Sequence, residues 1–258
     1  MVTRFALVFL LFVSSLFASE SGRYAYRAQK LLSSGKFAEA YKYYEAALLA
    51  SRKEADLLAE SRVLLSMTEI RILSLDFPLA DSLLSTIRFS VLDNASRLVF
   101  YKTKMELENA KKEYNHAFAI SQKATKKELK SAPDVILAAF YAEKAYALAA
   151  LNKDSVSYFL DEIEDELSDD DGRYLFAKAK ISFLKKEWQA SDSLFILAEK
   201  KSITENKIYR TATILYYRAL IAKELNQQEN FIDFKTRSAN AFELMGLPHP
   251  KTRSLNLQ

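Results

Sequence analysis

The sequence predicts an all-α fold, an α-solenoid of about six antiparallel helix pairs. Three observations predict it. The 258-residue chain holds only four glycines and four prolines, too few for the turns that β-sandwiches place every ~8–12 residues. Long stretches rich in Ala, Leu, Glu and Lys favour helix. One spacing of aromatic and small residues also returns along the chain, as it does in repeat proteins.

The amino terminus comes first. Met1–Arg4 carries one positive charge, and Phe5–Ala18 is an apolar run of 14 residues. That is signal-peptide length and falls short of the roughly 20 residues a membrane span needs. We expect residues 1–21 to be a signal peptide and the protein to be exported, periplasmic or secreted. An uncleaved leader would instead be a short anchor. Ser19-Glu20-Ser21 fits the small-x-small cleavage rule, whereas Leu16-Phe17-Ala18 fits it only at its last position. Beyond residue 22 no segment is apolar enough to span a bilayer.

The first unit, about residues 21–57, contains the clearest copy of the spacing. Gly35 is followed by Phe37, Ala40, Tyr44 and Ala47. In the second unit, 61–94, Leu75 is followed by Phe77, Ala80, Leu84 and Ile87. In the third, 98–131, Lys112 is followed by Tyr114, Ala117, Ser121 and Ala124. The fifth, 172–204, has Lys186 followed by Trp188, Ser191, Phe195 and Ala198. The fourth, 134–168, turns at Leu151-Asn152 without an opening aromatic. The sixth, 206–245, turns at Leu225-Asn226 and its aromatic, Phe231, arrives late. Residues 246–258 read as an irregular tail.

An antiparallel helix pair explains the spacing. The aromatic opens the second helix and wedges against the first. The small residue three later lets two backbones approach, and the positions seven and ten on lie on the same face. Seven residues before each turn position stand Ala28, Thr68, Met105, Ala145, Ala179 and Ala219. Their separations are 40, 37, 40, 34 and 40 residues. Pro78 falls in the first turn of a second helix, where proline is tolerated.

These units resemble tetratricopeptide repeats over roughly residues 22–245. Gly35-Lys36-Phe37 with Ala40, Tyr44 and Ala47 matches best, and Trp188 with Ser191, Phe195 and Ala198 next. The chain departs from that pattern in its longer units, its single turn glycine and its missing unit-closing prolines. The resemblance implies a right-handed TPR-like superhelix whose first helices line the concave face. It implies groove positions at Arg62, Glu69, Lys102 and Glu106 in the earlier units. In the later units it implies Tyr146, Arg173, Phe176, Lys180, Phe183 and Tyr216. Their aromatics and cations would suit a peptide with apolar anchors and some acidity, or the aromatics would fill the space between units. The lysine and asparagine set with which some members grip a peptide carboxylate is not reproduced.

Other chemistry is sparse. The absence of cysteine excludes disulfides, thiolate zinc sites and thiol nucleophiles. With Arg4 removed, 36 basic residues face 33 acidic ones, a net charge of +3, too weak to argue for nucleic acid. His116 and His249 lie far apart and form no metal-binding spacing. Four glycines cannot build a phosphate loop or a dinucleotide fingerprint. The acidic run Asp161–Arg173 puts Leu167 and Lys178 at the first and twelfth positions of a calcium loop, where ligands are needed. It reads instead as a solvated helix end that frays near Ser168. We therefore expect no catalytic residues, no metal and no cofactor, and a protein or peptide as partner. The expected function is a non-catalytic, exported interaction scaffold of the cell envelope. A structural oligomer subunit is the alternative, and an envelope polysaccharide enzyme using paired carboxylates is a more distant one.

Overall fold

A computed structural model describes residues 19–257, so the 1–18 part of the expected leader lies outside the described residues. Fourteen α-helices make up the described chain. The first pair is α1 (Glu20–Ser33) and α2 (Phe37–Lys53), and the second is α3 (Leu57–Leu73) and α4 (Phe77–Thr86). The third joins α5 (Asn94–Ala110) to α6 (Tyr114–Ser121), with the short α7 (Lys126–Ser131) added. The fourth is α8 (Asp134–Ala150) with α9 (Val156–Leu167), and the fifth α10 (Gly172–Leu184) with α11 (Trp188–Thr204). The sixth is α12 (Ile208–Glu224) with α13 (Gln228–Leu244), followed by α14 (Pro248–Leu255). No strand occurs among the described residues. The all-α, solenoid-like helical repeat expected from the sequence is the observed architecture.

The turns explain the repeat. All six turn positions adopt left-handed backbone: Gly35 (φ 78), Leu75 (60), Lys112 (66), Asn152 (52), Lys186 (60) and Asn226 (58). In each case the next N–H reaches back five residues. Lys36 N donates to Leu31 O at 3.0 Å, Glu113 N to Glu108 O at 2.8 Å and Gln227 N to Ala222 O at 2.8 Å. This is the Schellman closure, which satisfies carbonyls that the helix end would leave unpaired. It explains how the turn survives with a single glycine: the hydrogen bonds hold lysine and leucine in a conformation their Cβ disfavours.

The packing register follows. Ala28, Thr68, Met105, Ala145, Ala179 and Ala219 are all fully buried. So are Ala40, Ala80, Ala117 and Ser191 on the facing helices. Ser191 Oγ donates to the Ala179 carbonyl at 2.9 Å, tying one small position to the other. Tyr44 buries its ring and donates from its hydroxyl to Gln29 Oε1 at 2.8 Å. Phe231 lies five residues after Asn226, where all five other units place Ala or Ser. It packs there against Ala219 and Ala222, so the sixth unit carries its aromatic in the small residue's slot.

Two features differ from expectation. The segment 246–258 is not an irregular tail. Gly246 turns with φ 70 and Pro248–Leu255 is helical. Proline sets the backbone of the first turn, and Ser254 Oγ meets Ser238 Oγ of α13 at 3.1 Å. The run also begins earlier than residue 22. Ser19 caps α1 by accepting from Gly22 N at 3.0 Å, and Glu54 accepts from Glu20 N at 2.8 Å.

The first and last units also meet. One core cluster joins Ala28, Phe37, Ala40 and Met67 to Ala212, Phe242, Met245 and Leu247. The Tyr209 ring lies 5.6 Å from Phe37 and 5.7 Å from Phe242. Its hydroxyl donates to the Leu73 carbonyl at 3.1 Å. The repeat array therefore closes on itself around its inner face.

A cavity on the inner face

A cavity of about 300 Å³ opens on this inner face, between α5, α8, α9, α10 and the start of α12. The repeat register arranges its side chains in levels. One residue after the buried small position stand Glu69, Glu106, Tyr146 and Lys180. Three before it stand Lys102, Ala142 and Phe176; six before it stand Arg62, Ala139 and Arg173. Arg173 and Lys180 are two turns apart on α10, about 10 Å along its axis.

At the inner end, Lys102 Nζ lies 2.7 Å from Glu69 Oε1 and 3.0 Å from Glu106 Oε2. Thr103 Oγ1 donates to the same Glu69 oxygen at 3.3 Å. Asn109 Nδ2 donates to Glu143 Oε2 at 2.8 Å. Lys180 forms no salt bridge among the described residues. Its ammonium lies 4.2 Å from the centre of the Tyr146 ring and 5.6 Å from that of Phe176, contacts that stabilise a cation electrostatically.

Burial pushes the Glu106 carboxyl up from its ordinary range, and the neighbouring Glu143 and Glu69 add to this against the pull of Lys102. Burial works to lower Lys102, but Glu106 and Glu69 outweigh it and hold the ammonium well above its usual value. Lys180 is also raised, with Glu143, Tyr217 and Glu106 overcoming its burial. Burial drives the Tyr146 phenol up, reinforced by Tyr217 and Tyr114. Both ammoniums are therefore charged at neutral pH, and the phenol is neutral.

Toward the other end, Asp171 caps α10 and holds Arg173 in a two-point bond, with Nε–Oδ1 at 3.0 Å and Nη2–Oδ2 at 2.6 Å. Arg210 Nη1 donates to Glu205 at 3.3 Å. A Cβ at position 172 would meet Arg210 Nη1 and Lys201 Cβ at 3.0 Å, so Gly172 allows this close approach. Val135, Ala138, Ala139 and Ala142 form an apolar wall along α8, continued by Ile163 and Leu167 of α9.

Of the ten expected groove residues, Lys102, Glu106, Tyr146, Arg173, Phe176 and Lys180 line this cavity. Glu69 stands behind it, bonded to Lys102. The other three lie elsewhere. Arg62 pairs with Asp93 and donates to Ser96 Oγ at 3.0 Å. Phe183 packs edge-on against Trp188 at 5.3 Å and Tyr217 at 5.0 Å, in the core between the fifth and sixth units. Tyr216 lies under the Arg253 guanidinium at 4.2 Å.

Sequence reasoning missed Glu143 and Arg210. Glu143 stands one residue beyond the groove position Ala142, so helical register could have flagged it. Arg210 belongs to the first turn of α12 and enters only because Gly172 leaves room. His116 and His249 are both exposed. Among the described residues no group of three acidic, histidine or cysteine side chains could hold a metal ion. Among them also, no helix is long and apolar enough to cross a membrane. Comparison with known proteins finds no matching family model and no matching curated protein.

Proposed function

We propose that this chain is a non-catalytic, exported binding scaffold of the cell envelope, a divergent tetratricopeptide-like array that holds a protein or peptide partner at its inner face. The observation that carries the reading is the cavity: six residues that the repeat register assigns to the groove share it. At about 300 Å³ it is at the small end for ligand sites, so it takes a side chain or chain end rather than a whole peptide. The double variant Arg173→Glu with Phe176→Ala tests this. Crosslinking in envelope fractions, read by mass spectrometry, should recover a partner with the unaltered protein and lose it with the variant. An identical partner set for both would sink the reading.

Export rests on the leader, and the cap of α1 supports a particular processing point. Cleavage after Ser21 would remove Ser19, whose hydroxyl caps the helix, and Ser21, whose hydroxyl donates to Glu54 at 2.5 Å. Cleavage after Ala18 keeps both. Intact-mass measurement of protein from the envelope should give Ser19 as the first residue. A start at Gly22 would contradict it.

One observation favours an enzymatic second reading: Glu106 and Glu143 share the cavity and Glu106 is raised. Two carboxyls in one cavity are what acid–base hydrolysis uses. Against it, Lys102 sits 3.0 Å from Glu106 and favours its charged form. Release of fragments from purified envelope polysaccharide, abolished by Glu106→Gln, would establish that reading in place of the first.

A further inference from the structure

We infer that the inner end of the cavity receives a primary ammonium carried on an aliphatic stem. This inference rests on the proposed binding role and specifies its chemistry.

The charge count carries it. The inner end holds two ammoniums, Lys102 and Lys180, against three carboxylates, Glu69, Glu106 and Glu143. Farther out, Arg173 and Arg210 are each matched by their own carboxylate, Asp171 and Glu205. One negative charge is left over, where the Lys102, Glu106 and Glu69 side chains are only 15%, 23% and 30% exposed. An unmatched charge in a partly buried site is costly, and a bound cation is the direct way to balance it. The excess falls on Glu106, whose carboxyl is pushed toward its neutral form.

The shape agrees with the charge. The way to the carboxylates runs along Val135, Ala138, Ala139 and Ala142, whose side chains offer no hydrogen bond. A stem of four or five methylenes would cover this wall and deliver a terminal ammonium to the carboxylate level, as lysine stems do on apolar surfaces. Glu143 has one oxygen bonded to Asn109, and Glu106 has one bonded to Lys102. The second oxygen of each remains to accept from the incoming group. The ammonium has two sources of the same chemistry, a lysine side chain of the partner or a free aliphatic amine.

The experiment titrates the full chain with three isosteric probes, n-pentylamine, n-pentanol and pentanoate, followed by protein chemical shifts. Pentylamine should shift resonances of α5, α8 and α10, and the other two should not. Glu143→Gln should weaken pentylamine at least about tenfold, as loss of a charged hydrogen bond does. Lys180→Met should strengthen it, because a repelling charge is removed. A merely structural role for Lys180 would not move affinity in that direction. If Glu143→Gln misfolds, Lys180→Met alone decides. Pentanoate binding in preference to pentylamine would overturn the inference, as would weaker amine binding in Lys180→Met. A capped Gly-Lys-Gly peptide against its norleucine analogue separates the sources: tighter binding than pentylamine assigns a lysine side chain, weaker binding a free amine. Failure of every probe while partner crosslinking persists would reject this chemistry and leave the scaffold reading standing. Pentylamine binding with no partner at all would do the reverse.

Discussion

Ala40 shows how much one side chain decides. It is fully buried where α2 meets its neighbours, and its equivalents Ala80, Ala117 and Ser191 are buried to the same extent. Ala40→Leu should overpack the site and destabilise the protein by about 1–3 kcal/mol. Chemical unfolding checks this, and an unchanged midpoint would show the register to be misread. Asp171 offers a test in pH. Its hydrogen bonds from Arg173 hold its carboxyl below the usual range against the effect of burial, and it caps α10. A depressed folded pKa gives stability that is present above the unfolded value of about 3.9 and lost as pH falls through the folded one. Asp171→Ala should therefore cost about 1 kcal/mol at neutral pH. The gap to the unaltered protein should shrink as acid unfolding curves are taken below about pH 4. A gap independent of pH would contradict the assignment.

The helix pair is set by its turn. Six turn positions share left-handed backbone, yet five of them are not glycine. Lys112 and Lys186 are exposed there, so their side chains contribute little packing. Lys112→Gly or Lys186→Gly should stabilise by a few tenths to about 1 kcal/mol, because relief of Cβ strain outweighs the entropy glycine adds to the unfolded chain. Gly35→Ala should do the opposite; its Cβ would meet Ile208 and Met245 only at ordinary contact, at 3.4 and 3.5 Å, leaving strain as the cost. Thermal melts of the three variants check the signs. The spacing that revealed these pairs was legible because close approach of helices demands small residues at fixed intervals. Helix α14 was not legible. Pro248, Pro250 and Gly246 read as loop residues, and the partners of α14, Ser238 for Ser254 and Tyr216 for Arg253, belong to other helices.

At the scale of the whole molecule, contact between first and last units changes what the repeat can do. An open array has only neighbour contacts and can unravel from either end. Here Tyr209 ties Phe37 and Leu73 to the sixth unit. Hydrogen exchange should therefore protect α1 and α13 alike, and Tyr209→Ala should speed exchange in both. Independent fraying of α1 in the unaltered protein would count against closure. This contact was invisible in the sequence, because it joins residues 136 positions apart and no local pattern encodes it. The same closure explains why only part of the expected groove lines the cavity. Register places a residue on the inner face, but it does not say whether that face opens on the cavity, as at Lys180, or packs on another unit, as at Phe183. The central claim is that the inner cavity, and not the outer surface, meets the partner. A photo-crosslinking residue at Val135, on the cavity wall and 46% exposed, tests it against one at Leu244, 88% exposed on α13 and absent from the cavity lining. The account predicts a discrete crosslinked partner from position 135 and none from 244; crosslinks from 244 alone would contradict it.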